Sequence, residues 1–190
     1  RVTARTDDGR FSAATDVEII PRIADWAVGV GGGYLIGVNR LGAGIFTFSA
    51  ERRLPVETLY LRFDSSIYSV SVRETDPLTD IGVELKTTVY PLALGAVVQR
   101  GHGRFPVRFG GQAVMAPYTL QAAFGGQAAS SGIGWMLPGA AFMAGTGWRI
   151  GGGEMFAEAR YLFLSAPGET LGWEGSMGGM VGTLGYRLIY

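Results

Sequence analysis

Gly179-Met-Val-Gly-Thr-Leu-Gly-Tyr-Arg-Leu-Ile-Tyr190, at the end of the chain, alternates without a break. Met180, Gly182, Leu184, Tyr186, Leu188 and Tyr190 share one face; Gly179, Val181, Thr183, Gly185, Arg187 and Ile189 share the other. A period of two is the signature of a β-strand, whose successive side chains point to opposite sides of the sheet. One face is apolar and aromatic, the other small with a single arginine. Chain ends of soluble proteins tend to fray, so a terminal strand with an aromatic outer face suits one that meets lipid.

Composition supports that direction. Charged residues are 17% of the 190, below the ~25% of soluble domains, and 31 glycines are more than double the average share of ~7%. Lys+Arg and Asp+Glu both number 16, which argues against nucleic acid as a partner. With no cysteine, disulfides, thiolate metal sites and a cysteine nucleophile are excluded. No apolar run reaches the ~18 to 20 residues of a membrane helix; the longest, Val89 to Val98, contains Pro91 and Gly95. A chain like this crosses a membrane only as a closed barrel, which leaves no backbone group unpaired. Arg1 is not an initiator methionine, so we expect a processed protein or part of a longer one.

Strands of the same kind recur upstream. Trp26, Val28, Val30, Gly32, Tyr34, Ile36 and Val38 alternate with Ala27, Gly29, Gly31, Gly33, Leu35 and Gly37. A second strand, Ala43 to Arg53, sets Phe46, Phe48 and Ala50 against Thr47, Ser49, Glu51 and Arg53. The third starts near Leu59, with Leu61 and Phe63 outward and Tyr60, Arg62 and Asp64 inward. Its phase is expected to slip at Ser65-Ser66, through a bulge or by leaving the lipid, so that Tyr68, Val70 and Val72 face out. A fourth is expected from Ile81 past Pro91 to about Val98, with Ile81, Val83, Leu85, Thr87 and Val89 out and Gly82, Glu84, Lys86, Thr88 and Tyr90 in. The fifth (Phe105 to Phe124) and sixth (Ile133 to Ile150) have apolar or small residues on both faces, leaving their register open. In the seventh, Ala157, Ala159, Tyr161 and Phe163 face out, and Phe156, Glu158, Arg160, Leu162 and Leu164 face in. Turns are expected at 54–57, 99–104 and 151–153 on one side, and short loops at 39–42, 74–80, 125–132 and 167–176 on the other.

Eight strands of this length, at ~3.3 Å per residue and a tilt near 40°, cross an apolar band of ~25 Å. Residues 23–190 are therefore expected to form an all-β, eight-stranded antiparallel up-and-down transmembrane barrel. Residues 1–22 form a separate β segment, a hairpin turning at Asp8-Gly9. Small inward residues leave room for large ones from across a narrow lumen. The inward charges, Glu51, Arg53, Arg62, Asp64, Glu84, Lys86, Glu158, Arg160 and Arg187, form a lumen network, since Arg or Lys facing lipid costs ~2 to 4 kcal/mol near the midplane. Trp26, Trp135, Trp148 and Trp173, near strand ends, suit interface girdles, with core packing as the alternative.

Thr183, Gly185, Leu188 and Tyr190 fit a polar-x-Gly-x-x-apolar-x-aromatic pattern. It resembles the closing signal of bacterial outer-membrane barrels, which the barrel-insertion machinery reads. Met155-Phe-Ala-Glu-Ala-Arg-Tyr161 followed by Leu184-Gly-Tyr-Arg187 is similar to the last hairpin of eight-stranded barrels of the OmpA/OmpX type, and the likeness covers about residues 26 to 190. The N-terminal hairpin resembles the last strands of an immunoglobulin-like module; a strand pair at the barrel rim is the alternative. The resemblance implies the outer membrane of a Gram-negative bacterium and periplasmic N- and C-termini. Lipids, lipopolysaccharide, the insertion machinery and a periplasmic or envelope protein are the implied partners.

The expected role is a structural anchor for a periplasmic region; the alternatives are a narrow channel or a soluble lipocalin-like carrier of an apolar ligand. A carrier needs apolar residues inside, the inverse of strands two, four, seven and eight. Some barrels of the resembling kind are lipid-modifying enzymes with a His and a Ser at the outer leaflet. The single histidine here, His102, lies in a Gly-His-Gly turn at the opposite end with no serine nearby, so no enzyme, cofactor or metal is expected. Short external loops argue against an adhesin.

Overall fold

The computed structural model describes residues 2–5, 12–15, 25–37, 42–56, 58–75, 82–101, 104–124, 127–165 and 177–190. Every described element is a β-strand. In chain order these are β1 (Val2–Arg5), β2 (Ser12–Thr15), β3 (Trp26–Gly37), β4 (Gly42–Arg53), β5 (Leu59–Thr75), β6 (Gly82–Val89), β7 (Leu92–Arg100), β8 (Val107–Phe124), β9 (Gln127–Ile150), β10 (Gly153–Leu164) and β11 (Gly179–Ile189). β1 and β2 pair antiparallel with Val2 opposite Thr15. The Asp8-Gly9 turn lies outside the described residues.

β3 to β11 form one antiparallel sheet that closes on itself. β6 and β7 are one stave of the barrel, interrupted at Tyr90-Pro91, because both pair with β5 on one side and β8 on the other. Proline has no N–H for the ladder. Around the interruption Ser66 N–H donates to the Pro91 carbonyl (2.9 Å) and Tyr90 N–H to that of Pro117 (2.9 Å). Eight staves result, and β11 against β3 seals the last seam, Leu188 opposite Val28 and Gly179 opposite Gly37. Tyr190 N–H donates to the Trp26 carbonyl and Asp25 N–H to that of Tyr190, both at 2.9 Å.

Side chains sort by alternation. On β3, β4, β10 and β11 the faces fall as the pattern predicts, with Phe46, Tyr34, Phe163 and Leu184 exposed outside and Leu35, Ile45, Leu162 and Val181 buried inside. Inside, an apolar cluster that includes Tyr68, Val89, Val114, Leu137 and Leu164 fills the end away from the termini. There the Tyr68 hydroxyl donates to the Met177 carbonyl at 2.8 Å.

Two expectations fail, for one reason. No slip occurs at Ser65-Ser66: the β4–β5 register runs without a break, and Tyr68 and Val70 are buried inside. On β6 the phase is the inverse of that expected. Thr87 and Val89 are buried inside, so Glu84, Lys86 and Thr88 share the outer face, where Thr88 and Ser69 hydroxyls lie 2.7 Å apart. Outward residues of β5 change from Leu61, Phe63 and, past Ser65, Ile67 to Ser69 and Ser71, and those of the β6–β7 stave from Lys86 and Thr88 to Leu92 and Leu94. Charges belong inside only where the outside is apolar; past Ile67 and Tyr90 the staves run beyond that apolar band, and polar residues return to the outer face.

The expected loop 125–132 is also partly strand, since β9 starts at Gln127. From Ser65 to Thr75 the β5 chain runs on for about 30 Å. The outer end of β5 is thus an extended stave; of the loops expected at that end, 167–176 lies outside the described residues, as do most of 39–42 and 74–80.

Because the chain has no cysteine, single-cysteine variants test these faces cleanly. In lipid-reconstituted protein, Lys86→Cys should react with a membrane-impermeant maleimide while Leu94→Cys stays protected until denaturation. Equal labelling of the two would contradict the boundary at Tyr90.

Candidate functional site

Nearer the termini, the interior is ionic. Glu51 comes from β4, Arg62 and Asp64 from β5, Gln99 from β7, Arg108 and Gln112 from β8, Glu154, Glu158 and Arg160 from β10, and Arg187 from β11. Alternation turns each inward, and all but Arg160 are buried.

Arg62 is the hub. Its Nε donates to Asp64 Oδ2 (2.9 Å), Nη1 to Glu51 Oε1 (3.1 Å) and Glu158 Oε1 (2.7 Å), and Nη2 to Asp64 Oδ1 (2.9 Å) and Glu158 Oε2 (2.7 Å). All five N–H groups of a guanidinium are thereby used. β5 and β10 face each other across the eight-stave ring, so the bidentate Arg62–Glu158 pair spans the lumen. Arg160 Nη2, 3.1 Å from Asp64 Oδ2, crosses the same gap.

Arg187 donates to Glu51 Oε1 and Glu158 Oε1, both at 2.6 Å, and its Cζ lies 4.3 Å from the Phe156 ring centroid. Arg108 donates to Gln99 Oε1 through Nε (3.0 Å) and Nη2 (2.8 Å). Its Nη1 lies 3.2 Å from Glu51 Oε2 and 3.4 Å from Glu154 Oε1. Gln112 Nε2 donates to Asp64 Oδ2 at 2.6 Å. Arg62, Arg108, Arg160 and Arg187 thus face Glu51, Asp64, Glu154 and Glu158, which leaves this set of side chains neutral.

Glycines make the space. Arg187 stands opposite Gly29, Arg62 opposite Gly95, and Gly145 lies between Glu158 and Arg108 in its two ladders. A Cβ on Gly145 would come 2.6 Å from Glu158 Cγ, one on Gly147 2.2 Å from the Glu154 carboxylate, and one on Gly29 2.9 Å from Arg187 Cβ.

Of the residues expected in a lumen network, Glu51, Arg62, Asp64, Glu158, Arg160 and Arg187 meet. Arg53 shares the inner face of Glu51 but sits half-buried at the rim. Glu84 and Lys86 are corrected to the outer face of β6, beyond the apolar band. Gln99, Arg108, Gln112 and Glu154 are additions. Arg108 and Gln112 share one face of β8, a strand whose apolar residues lie on both sides and hide its phase. Glu154 precedes Phe156 and Glu158 on their face, and the same period of two extended one residue further back would have found it.

Thr183 and Gly185 line the inner side of β11, while Leu188 and Tyr190 are exposed outside. Trp26 and Trp148 point outward near the termini, beneath Arg52 and Arg104 respectively. The Trp135 side chain, Trp173 and His102 lie outside the described residues. Among the described residues no group of three or more His, Cys, Asp or Glu could hold a metal ion.

No protein-family model and no curated protein matches the chain. Among solved structures it is similar to Neisserial surface protein A, with a TM-score of 0.55 and 11% identity over 87% of this chain and 95% of that one. Two further likenesses are the N-terminal β-barrel domain of Pseudomonas aeruginosa OprF and the attachment invasion locus protein Ail of Yersinia pestis. OprF gives TM-score 0.47, 16% identity and coverage of 88% and 98%. Ail, solved with the heparin analogue sucrose octasulfate, gives 0.45, 14%, and 87% and 96%. The chain has the fold of the small eight-stranded outer-membrane barrels.

Removing one partner from a buried ion pair strands the other charge, at a cost of about 3 to 5 kcal/mol. Glu158→Gln should lose that much in urea unfolding followed by tryptophan fluorescence, whereas Lys86→Gln, on the outer face, should stay within about 0.5 kcal/mol of wild type.

Proposed function

We propose that the chain is an integral protein of the bacterial outer membrane whose barrel anchors a periplasmic region to that membrane. The observation that carries the membrane half of the reading is the inversion of an ordinary protein: a charged interior inside an apolar wall. Phe46, Tyr34, Phe142, Phe163, Leu184 and Leu188 all stand exposed on that wall, an apolar area far beyond what a soluble monomer presents.

Three observations support an anchor over a channel. The Arg62–Glu158 pair bars the lumen, the apolar cluster occupies the space towards the far end, and an eight-stave barrel is only wide enough for side chains or one small ligand. Outer-membrane barrels carry short turns on the periplasmic side. The two-residue link between β9 and β10 lies at the end that holds Trp26 and Tyr190, which supports periplasmic termini. In this reading Thr183, Gly185, Leu188 and Tyr190 address the chain to the insertion machinery, lipids and lipopolysaccharide cover the wall, and residues 1–22 or a region joined to them engage an envelope partner.

Fractionation tests the membrane half. We expect the protein in outer membranes, running in SDS as a compact fast band that slows on boiling; recovery as a soluble, heat-insensitive species would reverse the reading in favour of a carrier. The purified barrel should give no discrete conductance steps in a planar bilayer, and steps that disappear on replacing Arg62 would establish a channel instead.

A further inference from the structure

At the end of the barrel that carries the termini, arginines point out of the wall. Arg52 stands opposite Trp26 in one ladder and Leu61 in the other, and its Cζ lies 5.1 Å from the Trp26 ring centroid. Four staves away the arrangement repeats: Arg104 Cζ lies 5.1 Å from the ring of Trp148, which is stacked on Phe105. A guanidinium resting on an aromatic face keeps its N–H edge available, in the planar fork that takes two oxygens of a phosphate. An arginine on the outer wall is costly at the midplane and nearly free at the interface, which is where anionic groups of lipids lie.

Beside the first pair the rim opens into a groove of about 580 Å³ between Trp26, Arg52, Arg53, Leu54 and Leu61. Arg53, on the inner face next to Arg52, reaches the groove where the wall ends at the rim, and its Nε is buried without a hydrogen-bond partner. One acid, Asp25, also lines the groove; its backbone is held by Arg53 N–H, which donates to the Asp25 carbonyl at 2.8 Å. Among the described lining residues two arginines stand against one acid. The groove has a basic side at the rim and an apolar side, Trp26 and Leu61, on the wall. A free anion would use only the first; an amphiphile with a phosphate head uses both.

We propose that this groove is a binding site for the headgroup of an anionic glycerophospholipid of the leaflet at the terminal end. Arg52 and Arg53 receive the phosphodiester oxygens, and Trp26 and Leu61 pack against the glycerol and first methylenes. Asp25 opposes the phosphate and so limits affinity. The site rests on the membrane reading above.

The test is retention of phosphatidylglycerol or phosphatidylcholine by the purified, detergent-solubilised barrel, counted by native mass spectrometry, with heat-shifted gel mobility run on every variant. Wild type should keep phosphatidylglycerol preferentially. Arg52→Gln/Arg53→Gln should reduce retention about tenfold, the loss of roughly one charge-assisted pair, and Asp25→Asn should increase it. Millimolar inorganic phosphate should not displace the lipid. Equal retention by wild type and the double variant, both heat-shifted, would overturn the site while leaving the membrane barrel intact. Displacement by inorganic phosphate would make it a plain anion site and overturn the lipid assignment. A wild-type chain with no heat shift would instead remove the membrane reading itself.

Discussion

A guanidinium buried in a β-barrel has five N–H groups to satisfy, and Arg62 satisfies all of them on Asp64, Glu51 and Glu158. Taking such ions out of water costs several kcal/mol each unless the geometry returns it. The return here depends on β5 and β10 standing opposite each other at the right height, so the pair constrains the whole ring. A stave that slipped by one residue would turn its charges towards the wall and its apolar residues into the network. The inside-out distribution follows from the same constraint, because charges gathered inside free the wall to be apolar.

Space is the second constraint. The network needs long side chains from both walls of a narrow tube, and this is possible because glycines stand across from them. Gly29, Gly95 and Gly145 face Arg187, Arg62 and Glu158, which accounts for part of the high glycine content. Towards the far end the demand changes: Tyr68, Leu137 and Leu164 pack as an ordinary apolar core, inside staves whose outer faces carry Ser69, Ser71 and Lys86. The barrel thus has an apolar wall around a charged interior near its termini, and polar outer residues around an apolar interior where β5 and β6 extend beyond the apolar band.

That change explains what could be read in advance. β3, β4, β10 and β11 lie within the band, where one rule governs each face, and Trp26 to Gly37 and Gly179 to Ile189 were legible residue by residue. The same rule points Glu84 and Lys86 inward, but their segment already lies beyond the apolar band, where Thr87 and Val89 are the buried residues. Arg108 and Gln112 escaped because β8 has apolar residues on both faces, and its phase is set by the β7 and β9 ladders on either side. The start of β9 escaped too: Gln127 to Ser131 has no strand pattern of its own and is strand because β8 pairs with it. Six members of the ionic cluster were visible as inward charges, but their meeting in one place depends on ring closure, which no local pattern contains.

The coupling between Arg62 and Glu158 is the quantity to measure first. Unfolding free energies of wild type, Arg62→Met, Glu158→Gln and the double variant form a cycle that isolates the pair. If the cross-lumen pair ties the walls together, the coupling should be about 2 kcal/mol or more, and the double variant should be far less destabilised than the two single losses added. Additivity within about 0.5 kcal/mol would mean that the two side chains do not act together, and would contradict the hub.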